Sequence, residues 1–224
     1  LWLAVMLLNG CTLFPLSPDQ ATRHPLSFSA MQDLPSPNFD PRPQGTGIDM
    51  LVIHYTGMEN AADALARLRD PKAKVSAHYV IDEEGTVSRL VDESARAWHA
   101  GTAAWQGQSN INERSIGIEL VNPGHEFGYR PFPDAQISAL IGLGSDLIAK
   151  YQIPAAGVVG HSDIAPGRKM DPGELFPWER LASSEIGLWS DATNELGDLH
   201  GSAWDQLASI GYAQPGNEAK GKKP

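Results

Sequence analysis

Residues 48–56 read IDMLVIHYT, and Met50 to Ile53 form a continuous apolar run. A strand wetted on one face alternates apolar and polar residues, whereas a strand covered on both faces does not. The run therefore reads as a central strand between two layers, with His54 at its end. Downstream, residues 60–70 (NAADALARLRD) place Ala61, Leu65 and Leu68 at helical spacing and stop at Pro71. Residues 76–91 (SAHYVIDEEGTVSRLV) read as two β-rich arms around the turn residues DEEG. SIGIELV (115–121) is a further strand. Residues 133–153 carry Ile137, Leu140, Ile141, Leu147 and Ile148 on one helical face, and GVVG (157–160) is a last short strand. Strands mixed with helices, and a hairpin inside the sheet, predict an α/β domain with a mixed central β-sheet flanked by helices, over residues 48–182.

The flanks differ from this core. Between Thr12 and Gly47 prolines, serines and other polar residues leave no helical or alternating period, so residues 11–47 read as a tether and entry loop. From Ser183 the pattern thins. SAWDQLASIGY (202–212) suits one amphipathic helix, and NEAKGKKP ends the chain in polar style. The hydrophobic share of 42% supports a real core, and the net charge of -10 argues against a nucleic-acid partner, which favours a basic face. The single cysteine, Cys11, excludes an intramolecular disulfide. It follows LWLAVMLLNG, a stretch too short to span a bilayer. Leu8-Asn9-Gly10-Cys11 resembles a bacterial lipobox, so residues 1–10 are expected to be a signal peptide and Cys11 a lipid-bearing residue. No basic stretch precedes Leu1, a departure from that pattern, and a buried N-terminal helix is the plainer alternative.

Of the seven histidines, at 24, 54, 78, 99, 125, 161 and 200, two stand out by position. His54 directly follows MLVI, and His161 directly follows GVVG. Both are strand-end residues, where open α/β sheets gather their sites. His161 opens the loop GHSDIAPGRKMDPG (160–173), whose Gly and Pro residues exclude a packed strand or a regular helix. Asp171 on the same loop can fold back toward His161. Two imidazoles and one carboxylate suit zinc with an open fourth position. The spacing alone is weakly specific, and a chance grouping stays open. Glu119 can equally be an exposed strand residue, Lys169 a solvated partner of Arg168, and Asp171 a turn initiator before Pro172.

VIHYT, SAHYVID, WHAG, SIGIELVN and GHSDIAPGRKMDPG, in that order, resemble the zinc-dependent N-acetylmuramoyl-L-alanine amidase type 2 family, related to phage lysozyme-like amidases and peptidoglycan recognition proteins. The resemblance implies His54, His161 and Asp171 as zinc ligands, Glu119 as acid/base and Lys169 as oxyanion support. It implies substrate-groove positions at Tyr79, Trp98, His99, Asn112 and Arg168. Tyr79 falls where some phage members use a catalytic tyrosine, and with Glu119 present it reads as auxiliary or structural. The expected activity is hydrolysis of the amide joining N-acetylmuramic acid to L-alanine in peptidoglycan or muropeptides. The alternatives are a non-catalytic peptidoglycan-binding protein of the same fold and a recycling amidase specific for anhydro-muropeptides. A lipid anchor on Cys11 would place a monomeric enzyme at the periplasmic side of the envelope, with the outer membrane favoured because Thr12 is not the retention residue Asp. SAWDQLASIGY (202–212) resembles the first helix of a wall-binding module, and the tail 183–224 is expected to be a shortened form of that module.

Overall fold

The structure, a computed structural model, describes residues 31–189 and 202–212. Cys11, the segment expected to be a signal peptide and the last twelve residues lie outside this range, as do His24 and His200. Among the described residues, eight strands and seven α-helices follow in the order β1 (Gln32–Asp33), β2 (Phe39–Pro41), β3 (Met50–Tyr55), α1 (Ala61–Arg69), β4 (Tyr79–Ile81), β5 (Val87–Arg89), β6 (Ala95–Ala97), α2 (Ile111–Arg114), β7 (Ser115–Leu120), α3 (Gly124–Phe127), α4 (Asp134–Tyr151), β8 (Val158–Gly160), α5 (His161–Ile164), α6 (Trp178–Ala182) and α7 (Ala203–Ile210). The main sheet runs β1-β5-β4-β7-β3-β8, and β2 pairs with β6 in a separate ribbon. Within the main sheet β4 and β5 form the antiparallel hairpin, while β4, β7, β3 and β8 are parallel.

The apolar run that marks β3 has the predicted cause. Leu51 and Ile53 join a core with Ile116, Ile118, Leu140 and Leu147, under α4 and α6. Met50 and Val52 face the other way, against Ala100, Ile111, Val159 and Ile164. β7 is buried throughout yet alternates in chemistry: Ile116, Ile118 and Leu120 enter the α4 layer, and Ser115, Gly117 and Glu119 face the opposite side. Local signals fix the helix ends. Asn60 caps α1 by accepting a 3.0 Å hydrogen bond from the Asp63 N–H. Buried Gln136 on α4 donates to the carbonyls of Ile81 and Val121, at 2.9 and 3.0 Å, which pins that helix to the ends of β4 and β7.

Two expectations are corrected. Residues 31–47 are not loose tether. β1 extends the main sheet beside β5, and Asn38 donates to the carbonyls of Asp70 and Val75, both at 2.9 Å. Arg42 donates through Nε to Glu93 O (2.9 Å), through Nη1 to Asn112 O and Glu113 O (3.1 and 2.7 Å), and through Nη2 to Ser115 O (2.8 Å). The loop after β8 also starts with one helical turn, α5, because the Asp163 carboxylate accepts from the Gly160 N–H at 2.7 Å.

Arg42 is desolvated, which lowers its pKa to about 10, and its four carbonyl partners have no other side-chain donor assigned to them. Removing a charged donor from such a cluster leaves polar groups unpaired. Arg42→Ala is expected to cost about 3 kcal/mol, read as a lower urea midpoint with little change in slope.

Candidate metal centre

The parallel register sets the site. His54 pairs with Glu119 across β3 and β7, and Ile53 pairs with Gly160 across β3 and β8. His161, the next residue, therefore emerges level with His54. All three side chains sit at the C-terminal edge of parallel strands, where the chain leaves the sheet and its loops can converge. Asp171 returns to the same point, held by the Ser162 N–H, which donates to the Asp171 carbonyl at 2.8 Å.

Three atoms meet there. His54 Nδ1 lies 2.9 Å from His161 Nδ1 and 2.9 Å from Asp171 Oδ2, and His161 Nδ1 lies 3.0 Å from that same oxygen. All three residues are buried and form the one group of His, Cys, Asp or Glu among the described residues that can hold a metal ion. The donor set fits an ion on chemical grounds. His161 Nε2 lies 2.9 Å from the Ala100 carbonyl, which only accepts, so the proton of the neutral ring is on Nε2. Its Nδ1 lone pair then faces the Asp171 carboxylate, two acceptors in contact. A cation held by the three atoms would remove that repulsion.

Glu119 stands beside this cluster. It is buried, and its Oε2 accepts from none of the described groups. Burial and then the nearby Asp171 charge raise its pKa well above the ordinary value, with Lys169 acting in the opposite sense. A carboxyl group perturbed in this way, at the end of a strand, is the usual mark of a proton-transfer group. Lys169 is exposed, and its charge acts on both Glu119 and His54. The site thus has a buried floor of acceptors and a cationic side chain at its mouth.

The structure does not bring all of the expected substrate residues to this mouth. Tyr79 pairs with Ile118, so it points to the α4 face, away from Glu119, and its hydroxyl donates to Glu93. His99 is buried beneath His54 rather than lining a groove; its Nδ1 is 3.0 Å from His54 Nε2 and its Nε2 is 3.0 Å from Ser115 Oγ. Asn112 uses its side-chain oxygen to accept from the N–H groups of His99 and Ala100, at 3.1 and 2.8 Å. Trp98 is half-buried and donates to Asp40, binding the β2 segment. Arg168 spends Nη2 on the carbonyls of Ala100 and Thr102, at 2.7 and 2.6 Å, and braces the metal-side loop. Ser115 and the Ala100 carbonyl are contributors that the sequence reading missed. For Ser115 a signal existed: Ser115, Gly117 and Glu119 recur at every second position of an otherwise apolar strand.

Residues 44–174 match the protein family described as N-acetylmuramoyl-L-alanine amidase. N-acetylmuramoyl-L-alanine amidase AmiD of Escherichia coli is 46% identical over 157 residues, which are 65% of this chain and 56% of that protein. The chain thus matches a little over half the length of that relative. The 1,6-anhydro-N-acetylmuramyl-L-alanine amidase AmpD of Haemophilus influenzae is 37% identical over 171 residues, 68% of this chain and 91% of that protein. Among solved structures, AmiD from E. coli in complex with anhydro-N-acetylmuramic acid-L-Ala-D-gamma-Glu-L-Lys superposes with a TM-score of 0.66 at 41% identity, covering 77% of this chain and 76% of that one.

The buried histidines make acid stability a test of this geometry. Burial, then the charge of a neighbouring group, lowers His54 to about 4 and His78 to about 3, from the ordinary 6.5. Between those values and 6.5 the unfolded chain binds more protons than the folded one, so stability rises with pH across the window. The melting temperature of metal-free protein is therefore expected to fall as pH drops from about 6.5 to about 4, as calorimetry would show; a flat profile would refute the neutral, buried assignment.

Proposed function

The chain belongs to the N-acetylmuramoyl-L-alanine amidase family, and on that premise we propose that it is a zinc-dependent amidase that cleaves the bond between N-acetylmuramic acid and L-alanine. The observation that carries this reading is the unpartnered Glu119 Oε2 beside three converging acceptor atoms. His54, His161 and Asp171 would hold one Zn2+; two imidazoles and one carboxylate leave a position open, as hydrolytic zinc sites do. When bound, zinc supplies Lewis acidity toward the substrate carbonyl and lowers the pKa of a water to about 7.

The rest falls to the chain itself. Glu119, whose burial makes it a stronger base than a surface carboxylate, takes the proton of the attacking water. As the carbon–nitrogen bond breaks, it returns a proton to the leaving nitrogen, so the products are a lactyl carboxylate and a free L-alanine amine. Lys169 places its ammonium where negative charge develops on the carbonyl oxygen. A purely binding protein of this fold would have no use for a buried carboxyl group poised at a metal cluster.

The anhydro-muropeptide in the AmiD complex and the AmpD relatives favour muropeptides with a 1,6-anhydro sugar among the substrates. The lipobox-like Leu8-Asn9-Gly10-Cys11 supports an envelope location, with Cys11 carrying the lipid and peptidoglycan in reach. Loss of palmitate label in Cys11→Ala would support that placement, and equal labelling would remove it.

The catalytic assignment is tested on muropeptide digests analysed by mass, with and without chelator. Glu119→Gln is expected to bind one zinc as the wild type does and to lose about 10²- to 10⁴-fold in kcat. Lys169→Ala should lose about 10²-fold in kcat with a smaller change in KM. An active Glu119→Gln enzyme would overturn the proton-transfer role, and a zinc-loaded wild type that frees no L-alanine amine would overturn the amidase reading.

A further inference from the structure

We propose that Ser115 and His99 form a positioning relay that leaves Nδ1 of His54 unprotonated and so open to a metal ion. The inference deepens the zinc reading and rests on it only for the identity of the ion. Its observations are a chain of contacts running from a fixed acceptor to the ligand. Ser115 Oγ donates to the Ile111 carbonyl at 2.7 Å and lies 3.0 Å from His99 Nε2. His99 Nδ1 lies 3.0 Å from His54 Nε2, and His54 Nδ1 is one corner of the ligand triangle.

Proton direction follows from the end of that chain. A carbonyl oxygen has no proton to give, so the short Ile111 contact takes the one proton of the Ser115 hydroxyl. Ser115 then offers His99 only lone pairs, and His99 must present N–H at Nε2. Its Nδ1 is therefore an acceptor, which draws the proton of neutral His54 to Nε2. His54 Nδ1 is left as a lone pair. The reverse arrangement would place a proton on Nδ1, in the middle of the triangle, where it blocks an ion. Metal ligands commonly have their second nitrogen fixed by a carboxylate, carbonyl or water; here the fixing group is another imidazole, which can act as donor or acceptor, so its own orientation has to be set one step further out by Ser115.

The surroundings are shaped for this arrangement. A Cβ on Gly117 would stand 2.4 Å from His99 Cγ and 2.7 Å from Nδ1, so only glycine at that position leaves the ring its place. Asn112 holds the backbone of His99 and Ala100, and the Ala100 carbonyl fixes the proton of His161 on Nε2. The two residues His99 and Ala100 thus set the tautomers of both ligand histidines, one through a side chain and one through a carbonyl.

The test reads the metal and the protons rather than catalysis. Zinc affinity is measured by competition with a fluorescent chelator for wild type, His99→Leu, His99→Asn, Gly117→Ala and Ser115→Ala. His99→Leu and Gly117→Ala are expected to bind zinc about 10- to 100-fold more weakly, the usual effect of losing such a partner. His99→Asn, whose side-chain oxygen can accept from His54 Nε2–H, should recover part of the loss, and Ser115→Ala should weaken binding about tenfold. Long-range nitrogen–proton NMR of the zinc-loaded wild type should show His99 protonated at Nε2 only. His99 protonated at Nδ1, or wild-type affinity in His99→Leu, overturns the relay. If a variant fails to fold, the wild-type spectrum decides alone. A chain that binds zinc with these tautomers but cleaves nothing overturns the proposed function and leaves the relay standing.

Discussion

Everything at the candidate metal centre depends on one constraint, the parallel alignment of β3 with β7 on one side and β8 on the other. Parallel neighbours end at the same edge, so their last residues become neighbours without any help from the loops. The register pairs His54 with Glu119 and brings His161 level with them. A shift of one residue in either pairing would turn one of these side chains into the apolar layer under α4. The continuous apolar stretch of β3 makes that shift costly, since each face has its own core to fill.

Burial then gives the site its chemistry. A carboxylate, an imidazole and a carboxyl group without solvent are each held in states that water would not favour. His54 and His99 are kept neutral, and Glu119 is pushed toward its protonated form. Such a cluster is expensive to assemble unless each polar group has a partner. Most of these groups do: Ala100 serves His161, His99 serves His54, and Ser115 serves His99. Glu119 Oε2 is left over, and it is the atom to which the proposed reaction assigns a proton.

Much of this arrangement was legible in the sequence. Continuous or helical periodicity marked β3, α1, the hairpin, β7, α4 and β8, because each element contributes apolar residues to a core at regular spacing. His54 and His161 were marked by their place at strand ends. The residues that misled did so for physical reasons. Tyr79 lies beside His78 in the chain, but adjacent strand residues point to opposite faces, and only the register with Ile118 shows which face is which. His99 lies in a segment between strands, where no periodicity tells inward from outward. Residues 31–47 carry few apolar groups and bind through carbonyls and Arg42, an attachment that hydropathy does not detect.

That attachment bears on how the protein would respond to mechanical load. β1 is the outermost strand at one end of the sheet, and β3 and β8 lie at the other end. A pull arriving through the residues before Met31 would first strain the short β1–β5 pairing, then Ser36, Asn38 and the Arg42 clasp. Each of these can yield by breaking a few hydrogen bonds in sequence. The strands that lead to His54 and His161 lie beyond that clasp, while β7, which carries Glu119, is tied to it through the Ser115 carbonyl. The N-terminal segment is in this sense a fuse, sacrificed in steps while His54, His161 and Asp171 keep their spacing.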